Sequence, residues 1–200
     1  MHLLWSKNFS EEYYRMTKSH IESVLTQLDG SPTPRHLVAH ISHQLRAAKF
    51  VDFSKTAVAA ANSGFVATAG SIVAWRSGKQ TAKHGFRIVG AHTDSPGLRI
   101  KPNPDDRKHG FKTLQVEIYG GPLLNSWLDR DLGIAGHVVL RSGEIKLFCS
   151  NTAVARISQL AIHLDREVNE RGLILDKQFH LSPAWANNDK ALNFIDCVAK

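Results

Sequence analysis

The N-terminal part of the chain shows the hydrophobic spacing of two amphipathic helices. Between residues 9 and 29 apolar side chains recur at helical intervals, and Gly30 follows as a stop signal. A second apolar stripe begins after Thr33, a residue suited to an N-cap, with Pro34 at the first helical position. The pattern therefore predicts two helices before residue 50, the first of which could be divided into two short ones.

From residue 64 the hydrophobic positions form short runs, which are typical of strands. The runs are FVATAG (65–70), SIVAW (71–75), FRIVGAH (86–92) and LRIK (98–101). The run at 86–92 is almost continuously apolar and ends in polar residues, as buried strands of α/β sheets do. Ligands collect at the carboxyl ends of such strands, and we predict that His92 lies at one of them.

The pattern changes again after a polar, turn-rich segment at 103–110, where we predict a domain boundary. Beyond it apolar and polar residues alternate, and a hairpin is predicted to turn at Ser142-Gly143. A late helix is predicted at 158–171, with an apolar stripe and a glycine just past its end.

These patterns predict an α/β protein in two portions. Residues 1–104 should form an α/β portion with mostly parallel, buried strands, because their apolar runs are continuous. Residues 105–200 should form an antiparallel, β-rich portion, because their apolar positions alternate.

Composition restricts the class of protein. At 42% hydrophobic residues the chain can bury a core, and no apolar run approaches the roughly 20 residues of a membrane span. Because charges occur early in the chain, we expect no secretory leader. Cys149 and Cys197 lack the spacing of a zinc knuckle or a disulfide framework, so we expect a cytoplasmic protein without membrane contact. The net charge of +7 is spread along the chain, and no nucleic-acid partner is expected.

Histidines supply the candidate chemistry. His36, His40 and His43 share a helical face, but the Glu that follows the first His in helical zinc proteases is missing, and we predict a solvated polar face. His92 and Asp94 form a His-x-Asp triplet in which the carboxylate could orient a metal-binding imidazole. On spacing alone, a histidine hydrogen-bonded to an aspartate without any metal is the alternative.

Four segments, in order along the chain, resemble aspartyl aminopeptidases. They are SPTP at 31–34 with the helix after it, GFRIVGAHTDSP at 85–96 with Leu98, Lys101 and PNP at 102–104, GGPLL at 120–124 leading into WLDRDL at 127–132 and AG at 135–136, and LAIHL at 160–164 with Arg166 and Asn169. Such ordered agreement, over roughly residues 20–185, is far more specific than the triplet alone. Residues 1–15 lie upstream of it, with Met16 as an alternative start.

The resemblance implies a zinc-dependent exopeptidase that removes N-terminal Asp or Glu from peptides. In that family two metal ions share a bridging carboxylate and activate a water, and a Glu acts as general base. By position, His92 would be a zinc ligand, and Asp94 would be the catalytic-site carboxylate that orients it.

The resemblance also implies a domain organisation and an oligomer. Residues 1–104 would be the N-terminal part of the catalytic α/β domain, and residues 105–200 would belong to a β-rich dimerisation domain that makes a homo-oligomer. A histidine matching His163 would reach a neighbouring subunit's active site and bind substrate there. His163 also borders the apolar stripe of the predicted late helix, so a packed or interface histidine is the alternative.

The chain also departs from the family's pattern. The bridging Asp, the Glu of the general base and the other expected ligands do not occur in it, and Gly97, His137 and Ser158 stand where Cys, Arg and Pro are usual. Asp129 and Asp131 could suggest a cation site, but we predict structural polar bonds for them. Three hypotheses remain: an aminopeptidase represented by its N-terminal portion and inactive alone, a non-catalytic dimerisation or binding module of the same family, and, well behind these two, a basic nucleic-acid-binding protein.

Overall fold

The chain divides into two units on either side of residue 94. The computed structural model describes residues 11–57, 59–78, 85–186 and 193–199, and only the backbone of 11–17. The first unit is Met1–Asp94 and the second is Ser95–Lys200. They divide upstream of the boundary predicted near residue 105, because residues 97–108 form one continuous strand.

The first unit begins with the two helices that the sequence predicts. Helix α1 is Glu11–Asp29 and helix α2 is Pro34–Ala47. α2 starts where predicted because Thr33 is extended and its hydroxyl accepts a hydrogen bond from the backbone N–H of His36 at 3.4 Å. Pro34 fits the first turn because its missing N–H would have no partner there.

A three-stranded sheet with the order β1-β2-β3 follows the helices. Its strands are β1 (Val51–Asp52), β2 (Ser63–Ala67) and β3 (Ile72–Arg76). β1 and β2 are parallel, but β2 and β3 are antiparallel along their whole length. The prediction of mostly parallel strands is therefore wrong for this sheet. Residues 68–71 alone join β2 to β3, and parallel neighbours need a crossover of about a dozen residues.

The core of this unit is built around Phe65, whose side chain is completely buried in β2. The rings of Phe53 and Trp75 stack with their centroids 5.7 Å apart. Gly64 leaves room for that stack, because a Cβ atom there would lie 2.5 Å from the Trp75 ring and 2.8 Å from the Phe53 ring.

Asp52 ties helix α2 to the sheet. Its carboxylate accepts hydrogen bonds from the Arg46 guanidinium at 2.7 and 3.0 Å and from the backbone N–H and hydroxyl of Ser54. The Ser54 hydroxyl in turn accepts from the backbone N–H of Ala67 at 3.0 Å. The hydrogen bonds from Ser54, with a smaller contribution from Arg46, hold the pKa of Asp52 below its ordinary value.

This network should make the first unit sensitive to acid. A carboxyl whose pKa is lower in the folded than in the unfolded state contributes stability above its unfolded pKa, and that stability is lost as pH falls through the folded pKa. We therefore expect the free energy of unfolding to decrease below the ordinary aspartate range, and Asp52→Asn to reduce that decrease. Urea unfolding at several pH values measures the free energy of unfolding of both proteins. An identical pH dependence in wild type and Asp52→Asn would contradict the role of Asp52.

Residues 85–96 do not form the buried strand predicted at 86–92. The segment is irregular, and the side chains of Phe86, Ile88 and Val89 are 86%, 89% and 97% exposed. A strand needs a neighbour to satisfy its backbone N–H and C=O groups, and among the described residues no strand pairs with this segment. The apolar composition is that of a strand, but the pairing is missing.

The second unit contains a five-stranded sheet with the order β4-β5-β10-β9-β6. Its strands are β4 (Gly97–Lys108), β5 (Phe111–Tyr119), β6 (Asp131–Leu132), β9 (Ala155–Arg156) and β10 (Ala184–Ala186). All its pairings are antiparallel, which confirms the prediction for this part of the chain. Leu128, Ile157 and Leu181 form a buried core cluster.

Strand β4 runs through most of the segment predicted to be a turn. The β4–β5 register shifts between Ile100 and Asp105, and the turn itself lies at His109 and Gly110, both of which have positive φ. Pro102 is compatible with this strand because β4 lies at the edge of the sheet, where a missing N–H costs no pairing.

The predicted hairpin is present as a separate two-stranded sheet. β7 (Ala135–Val139) and β8 (Ile145–Cys149) are antiparallel, and Gly143 turns between them with a φ of +82°. Short helices complete the described part of the unit: a 3-10 helix at Leu124–Trp127, α3 at Val168–Arg171 and α4 at Phe194–Val198. No helix among the described residues has both the length and the hydropathy needed to cross a membrane.

The late helix predicted at 158–171 is mostly wrong. Only its last four residues, α3, are helical, and residues 158–167 make turns and irregular backbone. Leu160 and Leu164, which should line its apolar stripe, are 61% and 74% exposed. A short helix gains most of its stability from packing, and this stripe is not packed.

Candidate functional site

His92 lies in the irregular segment near the end of the first unit, and not at the end of a strand as predicted. Its side chain is 79% exposed, and that of Asp94 is 40% exposed. The imidazole is therefore open to solvent, while the carboxylate beside it is half-buried. The two side chains turn toward each other, as a metal ligand and its orienting partner would.

The contacts of His92 define one tautomer. Its Nδ1 atom lies 2.7 Å from the backbone carbonyl oxygen of Asp94 and 3.3 Å from the Oδ1 atom of the same residue. A carbonyl oxygen has no proton to donate, so Nδ1 must carry the hydrogen and donate it. In the neutral ring this leaves the lone pair on Nε2, the nitrogen that is then available to a metal ion.

Thr93 anchors the residue between them. Its hydroxyl donates a hydrogen bond to the backbone carbonyl of Gly70, in the β2–β3 connection, at 2.6 Å. The irregular segment is thereby attached to the sheet at the position of the His92–Asp94 pair. The spacing of residues predicts no such role for Thr93, because its partner lies 23 residues away along the chain.

We expect Thr93→Val to loosen this attachment. Valine has nearly the same shape but no hydroxyl, so the carbonyl of Gly70 loses its donor, at a cost of about 0.5–1.5 kcal/mol in the free energy of unfolding. Urea unfolding gives the change in stability, and the NMR signals of the His92 ring report on its orientation. Thr93→Ser keeps the hydroxyl and is the control. If Thr93→Val and Thr93→Ser change the stability and the His92 signals equally, the hydrogen bond to Gly70 does not position the His92 ring.

His163 lies on the surface of the second unit. It is exposed, in a turn in which the backbone N–H of Leu164 donates to the carbonyl of Ala161 at 2.8 Å. The alternative in which His163 packs against a helical stripe finds no support, because that helix does not form at this position.

The other polar clusters of the chain have structural contacts. His36 shares a 2.7 Å hydrogen bond with Thr33, and Nε2 of His40 lies 3.0 Å from the Gln44 amide nitrogen. Partial burial lowers the pKa of His36. Across the described residues, no group of three or more His, Cys, Asp or Glu side chains is arranged to hold a metal ion.

Asp129 and Asp131 make the structural polar bonds predicted for them. Both carboxylates face Arg156, with N–O distances of 3.6 and 2.9 Å, and Asp129 also accepts from the backbone N–H of Gln159. These contacts connect β6 to β9 and the residues after it. The aspartates are therefore part of the framework of the second unit.

Comparison with known proteins assigns the family. The sequence profile described as "Aminopeptidase I zinc metalloprotease (M18)" matches residues 27–195. The chain belongs to the M18 family. This confirms the resemblance found in the sequence, and it places His92 and Asp94 within the part of the chain that the family shares.

Relatives from two bacteria show how much of the family's length this M18 chain spans. It is 49% identical over 178 residues to the "Probable M18 family aminopeptidase 2" of Streptomyces coelicolor, covering 88% of this chain and 41% of the relative. It is 40% identical over 182 residues to the protein of the same name from Mycobacterium leprae, covering 86% and 42%. The chain thus spans about two fifths of the length of these relatives.

Solved structures confirm the fold class as a partial M18 α/β fold. The M18-family aminopeptidase of Thermotoga maritima matches with a TM-score of 0.73 and 25% identity, over 92% of this chain and 41% of that one. A chain in the complex of Ape4 and Nbr1 matches with a TM-score of 0.79 and 31% identity, over 88% and 35%.

Proposed function

We propose that this chain forms part of a zinc-dependent aminopeptidase that removes N-terminal Asp or Glu from peptides, with His92 as a zinc ligand. The observation that carries the proposal is the hydrogen bond from Nδ1 of His92 to Asp94. It fixes the ring in the tautomer that presents Nε2, and the Oδ1 atom of Asp94 lies 3.3 Å from the same Nδ1 atom, where it helps to orient the ring. The donor set fits zinc, which binds neutral imidazole well.

Asp94 would act as the carboxylate of the catalytic site that orients His92. Zinc, when bound, lowers the pKa of water and polarises the peptide carbonyl, and two ions per site are proposed from the family resemblance. Each ion needs three or more ligands, and His92 supplies one. We assign the remaining ligands to the part of the M18 relatives that this chain does not match.

Substrate binding and assembly are assigned to the β-rich part of the chain, residues 105–200. His163 is exposed there and could reach the active site of a neighbouring subunit in a homo-oligomer. An imidazole near a substrate carboxylate, together with the net charge of +7, favours peptides with an acidic N-terminal residue. Cys149 and Cys197 are both unpaired thiols, which fits a cytoplasmic location.

A chimera tests the assignment of His92. The chain replaces the matching part of the Streptomyces coelicolor relative, and the product is assayed with zinc on Asp-, Glu- and Ala-initiated peptides. We expect cleavage of the acidic substrates, and its loss together with bound zinc in His92→Ala. His43→Ala removes another exposed histidine and should change neither. Preference for the neutral substrate, or full activity without His92, would overturn the proposal.

A non-catalytic dimerisation or binding module is the second candidate. The observation in its favour is the second unit, whose five-stranded sheet and buried cluster are formed entirely by residues of this chain. A chimera that assembles and binds peptide but never cleaves it would support this candidate.

A further inference from the structure

Two apolar surfaces of the first unit are exposed. On α1 the side chains at one face, spaced i, i+3, i+4 and i+7, are each more than half exposed: Ile21, Val24, Leu25 and Leu28. In the segment 86–91, the side chains of Phe86, Ile88 and Val89 are almost fully exposed. Isolated exposed apolar residues are ordinary, but contiguous ones mark surfaces that bind another polypeptide.

The segment 86–91 has the chemistry of a strand. Ile88 and Val89 are β-branched, and side chains of an extended segment would alternate, with Phe86 and Ile88 on one side and Val89 on the other. An extended, unpaired backbone can accept an added strand through main-chain hydrogen bonds, and the apolar side chains are then buried on both faces. Such a pairing would produce the buried strand that the sequence indicates.

The length of the relatives indicates what covers these surfaces. The Streptomyces coelicolor protein is 49% identical over the shared region, yet that region is 41% of its length. The Thermotoga maritima chain shares this fold over 41% of its own length. In both proteins more than half of the polypeptide is therefore available to pack against the shared part.

We propose that residues 86–91 become a β-strand by pairing with a polypeptide that corresponds to the unmatched part of the M18 relatives. The apolar stripe of α1 packs on the same polypeptide. The pairing places His92 directly after a strand, so docking and completion of the metal site are one event. The inference deepens the proposed function and rests on it for the identity of the partner, but docking itself needs no metal.

Co-expression tests the docking. The tagged 200-residue chain is produced together with the unmatched part of the Streptomyces coelicolor relative, and the complex is purified in the presence of a chelator. We expect a one-to-one complex, in which amide exchange of residues 87–91 is at least about tenfold slower than in the free chain because those N–H groups are now paired.

Matched variants locate the contact. Ile88→Asp places a charge where the partner should bury an apolar side chain, and we expect recovery of the complex to fall at least about tenfold. Ile174→Asp is the control, because Ile174 is also outside helices and strands and is 77% exposed, but lies in the second unit. Both residues are exposed, so neither change should unfold the free chain, which circular dichroism verifies.

Three results would overturn the inference. The first is the absence of a complex with the wild-type chain, and the second is equal recovery of the complex with Ile88→Asp and with wild type. The third is self-association of the chain that Ile88→Asp abolishes, because a second copy would then cover the segment. The proposed function fails separately. A complex that forms through residues 86–91 but cleaves no peptide with zinc leaves this inference standing and removes the enzymatic one.

Discussion

The 200-residue polypeptide should release no N-terminal Asp or Glu from peptides, even with added zinc or manganese. His92 provides one imidazole, whereas each ion of a two-metal centre usually needs three or more protein or bridging ligands. Among the residues that the structure describes, no three His, Cys, Asp or Glu side chains are close enough together to hold a metal ion. The general base expected from the family is also missing from the sequence.

The expected loss of activity is large. Lack of a general base alone typically reduces the rate by a factor of about 10²–10⁴, and lack of the metal-activated water removes most of the remaining acceleration. The measurement compares the purified chain with the chimera on the same acidic peptides at equal zinc concentration. Turnover by the sequence-verified 200-residue protein within a hundredfold of the chimera would contradict the prediction and show that the chain completes its own site.

Features that depend on neighbours in sequence were predicted correctly. Helix α2 begins at Pro34 because Thr33 caps it. The Thr33 hydroxyl accepts a hydrogen bond from the backbone N–H of His36, only three residues further along the chain. The β7–β8 hairpin turns at Gly143 because its two strands are adjacent in the chain and the glycine tolerates a positive φ. The contact between His92 and Asp94 is also local, since two residues separate the partners, and its role at a metal site stays a prediction.

Features that depend on distant partners were not predicted. The run at 86–92 has the composition of a buried strand, yet burial needs a neighbouring strand, and its own sequence does not show whether one is present. The reverse error occurs at 103–110. Its prolines and charges indicated a turn, but β5 provides a partner, and the strand continues as far as Lys108. Thr93 belongs here too, because its bond to Gly70 spans 23 residues.

The proposed metal site shows the same limit. Spacing identified His92 and Asp94 as a pair, and the tautomer makes Nε2 of His92 available to a metal. No spacing within the chain indicates further ligands. Sequence resemblance supplied the family, and only the family implies a second metal ion, an acidic substrate and a role for His163.

Phe65→Ala should be the most destabilising single substitution considered for the first unit. The Phe65 ring is completely buried, and the backbone carbonyl of the same residue accepts from Phe53 at 2.9 Å, joining β1 to β2. The guanidinium of Arg46 lies 5.7 Å from the ring centroid and would also lose that contact. Truncation of a buried phenylalanine costs about 3–5 kcal/mol, through lost burial and the cavity that remains.

That cost is a large part of the roughly 5–15 kcal/mol that stabilises a typical domain, so the first unit should unfold at a much lower urea concentration. Amide exchange of the β2 residues reports on unfolding of the first unit, and amide exchange of the second unit is measured for comparison. Phe86→Ala is the matched control, because the same atoms are removed from a side chain that is 86% exposed. We expect a change within about 0.5 kcal/mol there. If the two variants unfold at the same urea concentration, Phe65 does not anchor the core of the first unit.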